Sequence, residues 1–217
     1  MPAPRDWIES APLPDSVRAL ARRGTLCRFA KGAVLIQEGA PSDLTMYIVL
    51  DGLLRAYGST LASERELVYG EYRAGEYVGE MGLDGGPRSA SVIAVEPTVC
   101  SRLTRQTVQQ HVHDDPAFAF ELLLVVIQRA RTATETAKDL ALTDVYGRLR
   151  RHLERAAVPD GDGRRRIAER PTHKELANRL GCSREMVTRL LKDLQDGGYI
   201  EAGRSGIVIL KPLPAGW

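Results

Sequence analysis

The sequence predicts an α+β fold in three consecutive parts: a β-barrel of the jelly-roll type, one long helix, and a small helical domain with a terminal hairpin. Three observations carry this prediction. Short apolar segments punctuated by glycine fill the first half, a heptad spacing follows, and two short amphipathic helices with capping residues come last. We place the boundaries of the three parts at 1–115, 116–144 and 145–217.

The first part is predicted to be antiparallel because its apolar segments are short and end at turn residues. The segments are VLI at 34–36, MYIVL at 46–50, ELVYGEY at 66–72 and SVIAV at 91–95. Each is followed within a few residues by glycine or proline, which favour turns. Short strands at regular intervals are typical of a barrel or jelly roll.

The middle part is predicted to be a helix from about Pro116 to Asp144, since proline suits a first helical position. Its apolar residues recur at alternating spacings of four and three, which is a heptad seam. The seam consists of Ala119, Leu123, Val126, Ala130, Ala133, Ala137 and Leu140. Its alanines allow close helix approach. We therefore expect a parallel homodimer, with packing on the helix's own domain as the alternative.

The last part is predicted to contain two short helices joined by a tight turn and followed by a hairpin. Thr172 and Glu175 have the spacing of a capping box, Gly181 suits a helix end, and Ser183 suits the cap of the next helix. The segment IEAGRSGIVIL predicts the hairpin. Together these features indicate a winged helix-turn-helix.

Charge is distributed unevenly along the chain, whose net charge is only +2. Residues 1–144 contain 15 Lys and Arg against 19 Asp and Glu, a net −4. Residues 145–217 contain 15 against 9, a net +6. A basic C-terminal third on an acidic body suggests a domain that binds a polyanion.

The second short helix presents polar side chains opposite its apolar face, namely Arg184, Glu185, Thr188 and Arg189. Arginine can donate two hydrogen bonds to guanine O6 and N7, and glutamate can accept one from cytosine N4. Candidate contacts to the phosphate backbone are Thr172, His173, Lys174, Ser183 and Lys192. Double-stranded DNA is therefore the predicted partner.

Two small-residue segments frame a candidate anion site: Gly79-Glu80-Met81-Gly82 and Pro87-Arg88-Ser89-Ala90. Small residues let backbone N–H groups approach an anion, and Arg88 supplies a charged fork for a phosphate. The Glu80 carboxylate could accept a hydrogen bond from a ribose hydroxyl. The residues alone fit equally well a surface turn with an Arg–Glu pair.

Four segments resemble the cAMP receptor protein branch of the CRP/FNR transcription regulators, in the family's order. They are FAKGAVLIQEG, similar to the start of the nucleotide-binding barrel; YVGEMGLDGGPRSASVIA, similar to the phosphate-binding cassette; LALTDVYGRLRRHL, similar to the hinge; and GCSREMVTRLLKDLQDGGYI, similar to the recognition region. The similarity covers nearly the whole chain except about its first 20 residues. It implies a cyclic-nucleotide-binding jelly-roll barrel, a dimerisation helix and a winged helix-turn-helix DNA-binding domain.

The resemblance also implies roles for individual residues. The ligand would be cAMP, held by Gly79, Glu80, Met81, Arg88, Ser89 and Ala90, with Arg129, Ala133 and Thr134 of the long helix near its base. Ala133 departs from the family pattern, since it replaces a threonine hydroxyl that contacts adenine. This weakens the prediction of adenine selectivity and leaves cGMP and cyclic di-GMP as alternatives.

For DNA, the resemblance implies base contacts from Arg184, Glu185 and Arg189 to a palindromic site with TGTGA-type half-sites. Ligand binding would re-register the dimer helix and rotate the DNA-binding domains about Lys138–Asp144. RNA polymerase is an expected partner, with the loop 158–163 and His173 as candidate contacts.

Other function classes find little support. The sequence shows no Ser/His/Asp arrangement of a catalytic site. It shows no metal-ligand spacing either, because Cys27, Cys100 and Cys182 lie far apart and His111 with His113 predicts a solvated helix end. We therefore expect no enzyme, no metal and no disulfide. A haem or iron–sulfur sensor of the same fold and a ligand-independent DNA binder are the remaining rivals. With no apolar run near the ~20 residues of a membrane span, the expected location is the cytoplasm.

Overall fold

The computed structural model describes residues 6–60, 63–160, 164–168, 171–203 and 206–216; the side chains of residues 60 and 63–65 are outside the description. The chain forms two compact units. The first comprises Met1–Gly58 with Val68–Arg131, and the second comprises Ser59–Leu67 with Thr132–Trp217. Among the described residues, no helix combines the length and apolar character that crossing a membrane requires.

The described part of the first unit is built from eight strands, of which β4 and β5 continue into the residues of the second unit. They are β1 Thr25–Phe29, β2 Val34–Ile36, β3 Thr45–Asp51, β4 Leu53–Thr60, β5 Ser63–Arg73, β6 Tyr77–Val78, β7 Ser91–Ala94 and β8 Thr98–Thr104. They form two four-stranded sheets, in the orders β1-β8-β3-β6 and β2-β7-β4-β5. This is the strand order of a jelly roll, as the sequence predicts.

Strand β3 organises the core of this unit, since its residues from Thr45 to Leu50 are all buried. Because side chains alternate across a strand, Met46, Ile48 and Leu50 enter one apolar cluster while Tyr47 and Val49 enter another. The first cluster also receives apolar residues from helices and their flanks. These helices are α1 Trp7–Ser10, α2 Asp15–Ala21, α3 Arg105–Asp114 and the start of α4 Pro116–Leu142.

Helix α4 is 27 residues long and has two unlike faces. One face packs on the first unit through buried Phe118 and half-buried Leu122 and Val125. The seven residues of the predicted heptad seam lie outside this face, and all of them are exposed. The helix therefore presents an apolar stripe that its own chain leaves uncovered within the described residues.

Besides the end of α4, the described part of the second unit contains three helices and a small sheet. The helices are α5 Val145–Ala156, α6 His173–Leu180 and α7 Arg184–Asp196, and the strands are β9 Val158–Pro159, β10 Arg165–Ile167, β11 Ile200–Gly203 and β12 Gly206–Ile209. The sheet has the order β11-β12-β10-β9. The hairpin β11–β12 confirms the predicted wing; its tip, residues 204–205, lies outside the described residues.

Several local predictions need correction. Helix α4 ends at Leu142 rather than Asp144, because the Asp144 side chain caps α5 by accepting a hydrogen bond from the Gly147 N–H at 2.7 Å. The predicted loop 158–163 begins as strand β9, and its residues 161–163 lie outside the described residues. His111 is not solvated: it is only 2% exposed, whereas His113 is exposed.

Two of the three free cysteines are neighbours despite their distance in sequence. Cys27 on β1 is the register partner of Cys100 on β8. Burial, with a smaller contribution from Cys27, raises the pKa of the Cys100 thiol to about 12. The Cys100 side chain therefore behaves as a small apolar group of the barrel core.

Candidate functional site

The candidate anion site of the first unit is a tight turn between β6 and β7. Gly79 has φ of 88°, a left-handed conformation that favours glycine, and a 3₁₀ helix follows at Glu80–Asp84. At Gly82 a Cβ atom would lie only 2.3 Å from Nη1 of Arg88. The turn thus needs small residues so that the Arg88 guanidinium can lie against its backbone.

Arg88 is buried, with 6% of its surface exposed. Its Nη1 donates to the Gly79 carbonyl at 3.0 Å. Its Nη2 donates to the Asp43 carboxylate, to the Thr45 carbonyl at 2.9 Å and to Thr45 Oγ1 at 3.2 Å. A buried cation requires such partners, because an unpaired charge away from water is strongly destabilising.

Asp43 connects Arg88 to a second cation. Arg102 Nη2 lies 3.2 Å from Asp43 Oδ2, and the Thr45 hydroxyl donates to Asp43 Oδ1 at 2.7 Å. Burial alone would raise the pKa of the Asp43 carboxyl, but the hydrogen bonds from Thr45, Arg88 and Arg102 outweigh it and lower the pKa. Asp43 is therefore an anion near neutral pH.

The second arginine of the site, Arg129, extends from α4 and pairs with Glu80, whose side chain is only 4% exposed. Arg129 also donates to the Tyr77 carbonyl. Its guanidinium carbon lies 4.8 Å from the ring centroid of Tyr72 and 5.6 Å from that of Tyr77, which is cation–π geometry. Burial raises the pKa of Tyr77 to about 12, so its hydroxyl stays protonated.

The other predicted ligand residues are placed less centrally. Met81 is 60% exposed, and exposed Ser89 donates its hydroxyl to Met81 Sδ at 3.6 Å. Ala90 is half-buried and packs on the second barrel cluster. Ala133 and Thr134 are exposed on α4, four and five residues beyond Arg129, and belong to the second unit.

The predicted nucleic-acid interface is built on α6 and α7, whose caps match the sequence prediction. Thr172 and Glu175 form a capping box at the start of α6, and Gly181 ends α6 with φ of 63°. Ser183 caps α7 by accepting from the Met186 N–H at 3.2 Å. These local signals fix the turn that positions the first residues of α7.

The two faces of α7 divide as predicted. The buried residues are Val187, Leu190, Leu191 and Leu194, and the exposed candidates are Arg184, Glu185, Thr188, Arg189 and Lys192. No described residue forms an ion pair with any of these charged candidates. Arg189 donates to Met186 Sδ at 2.9 Å. Charged groups are thus displayed without partners of opposite charge.

Thr188 and His173 are linked to each other: His173 Nδ1 and Thr188 Oγ1 lie 2.8 Å apart. The Thr188 hydroxyl also donates to the Arg184 carbonyl at 2.9 Å. This contact joins the first residue of α6 to the exposed face of α7. Thr172 and Lys174 are exposed at the same end of α6.

Several residues that the sequence does not predict make contacts in these two sites. Asp43 and Thr45 hold Arg88 from a segment over 40 positions away, and Tyr72 and Tyr77 hold Arg129. No local spacing signals such contacts. Asn178 of α6 was also missed: it is buried and donates to the Glu66 carboxylate at 2.7 Å.

Part of the basic C-terminal segment serves internal contacts. Arg148 Nε donates to the Leu180 carbonyl at 2.9 Å. Arg151 pairs with Asp139 at 2.7 Å and donates to Thr143 Oγ1 at 2.8 Å. These arginines join the end of α4 to α5 and α6. The charge available to a polyanion is therefore smaller than the residue count suggests.

Comparison with protein-family models gives two matches. Residues 26–115 match the cyclic nucleotide-binding domain, and residues 147–213 match the Crp-like helix-turn-helix domain. The first match contains the Arg88 turn, and the second contains α6, α7 and the wing.

Comparison with curated proteins gives relatives that match over most of their length. A CRP-like cAMP-activated global transcriptional regulator of Mycobacterium tuberculosis is 27% identical over 201 residues, covering 90% of this chain and 88% of that protein. The CRP-like protein Clp of Xanthomonas campestris pv. campestris is 32% identical over 199 residues, covering 84% and 82%. A solved structure of CLP from Xanthomonas campestris, described as a c-di-GMP responsive global regulator, has a TM-score of 0.79 at 26% identity, covering 90% and 98%.

Proposed function

We propose that cAMP is the effector of this chain, which belongs to the CRP/FNR family. The chain is a CRP-like, cyclic-nucleotide-responsive transcription regulator rather than an enzyme. The observation that carries this proposal is the pair of buried charges in one turn. Arg88 and Glu80 lie at the two ends of a segment whose glycine backbone approaches the guanidinium closely.

The residues of this turn fit a cyclic nucleotide. Arg88 and the backbone of Ser89 and Ala90 would bind the phosphate, because a guanidinium and backbone N–H groups are strong donors to phosphate oxygens. Glu80 would accept from the ribose hydroxyl, with Arg129 holding its carboxylate in place. Gly79 and Met81 complete the ribose and phosphate side of the site.

The base of the ligand distinguishes the three candidate effectors. It would lie toward α4, where Thr134 offers a hydroxyl and Ala133 offers none. Losing one hydrogen bond to a buried base leaves a polar group unsatisfied, which weakens binding by ~1–3 kcal/mol. Cyclic di-GMP is the second candidate, since the structurally similar CLP is described as responding to it; cGMP is the third.

Homodimerisation through α4 is part of the proposal. The exposed seam includes Leu123, Val126 and Leu140, and exposed apolar residues in a continuous helical stripe indicate an interface. The small seam residues Ala130 and Ala133 allow the two helices to approach closely. Parallel pairing would place the two α7 helices about one DNA turn apart, roughly 34 Å.

We infer that the DNA site is palindromic with TGTGA-type half-sites, read by Arg184, Glu185 and Arg189. Thr188 lies on the same face of α7 as these residues. Contacts to the DNA backbone would come from Thr172, His173, Lys174, Ser183 and Lys192. RNA polymerase, bound through the loop 158–163 and His173, completes the proposed partners, and the cytoplasm is the proposed location. The functional division at 1–115, 116–144 and 145–217 follows from these roles.

The proposed mechanism couples the two units through α4. A ligand can shift the dimer only if it binds one arrangement of the paired helices more tightly than the other. Arg129 supplies the link, since it belongs to α4 and is fixed to Glu80 of the pocket. Rotation about Lys138–Asp144 would then present the recognition helices to DNA.

Calorimetric titration with cAMP, cGMP and cyclic di-GMP tests the effector. We expect wild type to bind cAMP most tightly, and Arg88→Leu to lose at least about tenfold in affinity because a charge-assisted phosphate contact disappears. Arg28→Leu, which removes an exposed arginine of β1, is the matched control and should bind normally.

Gel-shift titration with a palindromic TGTGA duplex tests the response. Saturating cAMP should raise the affinity of wild type but not of Arg88→Leu. Operator affinity that no cyclic nucleotide changes would contradict the proposal and favour the ligand-independent DNA binder.

A further inference from the structure

We propose that Asp43 is a built-in competitor for the phosphate of the effector, and that ligand binds by displacing this carboxylate from Arg88. The proposal rests on the assignment of Arg88 as the phosphate-binding residue. It adds a residue, from a different segment of the barrel, that sets the affinity of the pocket.

The hydrogen bonds of the Arg88 guanidinium carry the proposal. A guanidinium can bind two oxygens of one anion along either of two edges, Nε with Nη2 or Nη1 with Nη2. Both edges include Nη2, which has only two hydrogens. In the structure, Nη2 already serves the Asp43 carboxylate and both oxygens of Thr45. A phosphate can therefore bind in the bidentate mode only if one of these acceptors leaves.

Asp43 is the acceptor best able to leave. The Thr45 carbonyl belongs to the backbone of β3, a central strand of its sheet, and cannot move without disturbing the sheet. The Asp43 side chain is 52% exposed and lies on the loop before β3. The Asp43 carboxylate and the phosphate of the ligand would bind the same guanidinium, and like charges that share a site repel each other.

Arg102 gives the displaced carboxylate a second partner. Its Nη2 is 3.2 Å from the other Asp43 oxygen, and both side chains are about half exposed. Asp43 can therefore leave Arg88 and keep an ion pair with Arg102. Such an exchange avoids leaving either charge without a partner when the phosphate binds.

The backbone beside Asp43 has an uncommon conformation. Leu44 has φ of 56°, which makes it the one described residue other than glycine with positive φ. A bulky side chain disfavours the left-handed region. This backbone conformation fixes the loop that presents the Asp43 side chain to Arg88.

The consequence is selectivity against simple anions. Inorganic phosphate would have to remove Asp43 with the phosphate contacts alone. A cyclic nucleotide also gains contacts from its ribose and base, so it can displace the carboxylate where a bare anion fails. Asp43 thus lowers the affinity of the pocket for any anion, so that only a ligand with additional contacts binds. It does so without contacting the ribose or the base.

Asp43→Asn tests the competition, because it removes the negative charge and keeps the shape of the side chain. We expect cAMP, or whichever cyclic nucleotide wild type binds, to bind about tenfold more tightly, a change of ~1.4 kcal/mol. Asp43→Ala should also increase the affinity for the nucleotide. Glu96→Gln, which removes one exposed charge on the turn between β7 and β8, is the matched control and should stay within about twofold because exposed charges are screened by salt.

The gain should depend on Arg88. In an Arg88→Leu background, Asp43→Asn should change affinity by less than about twofold, since mutations coupled through one contact are not additive. Equal or weaker nucleotide binding by Asp43→Asn, with wild type still binding, would overturn the inference and leave the proposed effector intact. Failure of wild type and variant alike to bind any of the three nucleotides would overturn both.

Discussion

The two arginine pairs of this protein show opposite ways of preparing a cation for an anionic ligand. Arg88 and Arg129 of the pocket are buried or half-buried, and each is already paired with a carboxylate. Arg184 and Arg189 of α7 are exposed and pair with no carboxylate in the described part of the chain. The same side chain is therefore neutralised in one region and left free in the other.

The difference follows from solvation. A buried guanidinium must find partners within the protein, so a ligand has to exchange with them. An exposed guanidinium is partnered by water, and a polyanion gains from it through counterion release and base contacts. Removing a carboxylate from the pocket should therefore lower the free energy of unfolding. Removing an arginine from α7 should lower the affinity for DNA and leave the free energy of unfolding nearly unchanged.

The largest expected effect is on DNA. Arg184→Ala should weaken binding to a palindromic site by ~2–6 kcal/mol over two half-sites, at least about thirtyfold, because each bidentate guanine contact contributes ~1–3 kcal/mol. Its unfolding free energy should change by less than about 0.5 kcal/mol, as is usual at exposed sites. Filter binding and urea unfolding measure the two quantities.

Arg155→Ala is the control for general loss of charge, since Arg155 is exposed on α5 of the same unit. It should weaken binding to specific and random duplexes alike, and only slightly. If Arg184→Ala lost affinity equally for both duplexes, its role would be limited to backbone contact.

The second effect is on stability. Glu80→Gln should lower the unfolding free energy of the protein by ~2 kcal/mol, because it leaves the Arg129 charge without its carboxylate. The loss is smaller than for a fully buried pair because Arg129 retains 24% exposure. Urea unfolding at fixed protein concentration measures it, with Glu96→Gln as control. An unchanged midpoint would mean that solvent already screens the pair.

The contrast between these two regions also explains what the sequence could predict. The α6–α7 interface depends on caps, a glycine turn and a helical period, which are local signals, and Thr172, Gly181 and Ser183 all take their predicted roles. The pocket depends on contacts between distant segments. Arg88 was found from its own turn, but its partner Asp43 lies in a segment with no periodic pattern.

The barrel shows the same limit. Strands with unbroken apolar runs, such as β2 and β3, were located, whereas β1, β4, β6 and β8 were not. Strand β8 carries Ser101 in the core, where its hydroxyl donates to the Ala21 carbonyl at 2.8 Å. A buried polar residue whose hydrogen-bond partner lies in another element interrupts the apolar pattern from which a strand is predicted.

Gly181 sharpens the comparison, because the position of Arg184 depends on backbone geometry rather than on a carboxylate. Gly181→Ala places a side chain at φ of 63° and a Cβ 3.0 Å from Leu140 and 3.4 Å from Leu67. We expect a loss of ~1–2 kcal/mol in unfolding free energy and weaker DNA binding. Gly203→Ala, where a Cβ would meet no atom within 4 Å, is the matched control.

The smallest expected effect concerns a buried polar group that, unlike Arg88, has no hydrogen-bond partner. Both ring nitrogens of His111 lack a partner among the described residues, and the ring packs edge-on against Phe118 at 4.9 Å. His111→Leu should stabilise the protein by about 1 kcal/mol, because the gain from removing unsatisfied polar atoms exceeds the loss of one aromatic contact. His113→Leu, exposed on the same helix, should change stability by less than about 0.5 kcal/mol. A destabilised His111→Leu would show that the imidazole is hydrogen-bonded in solution, so that this buried group would be paired as Arg88 is.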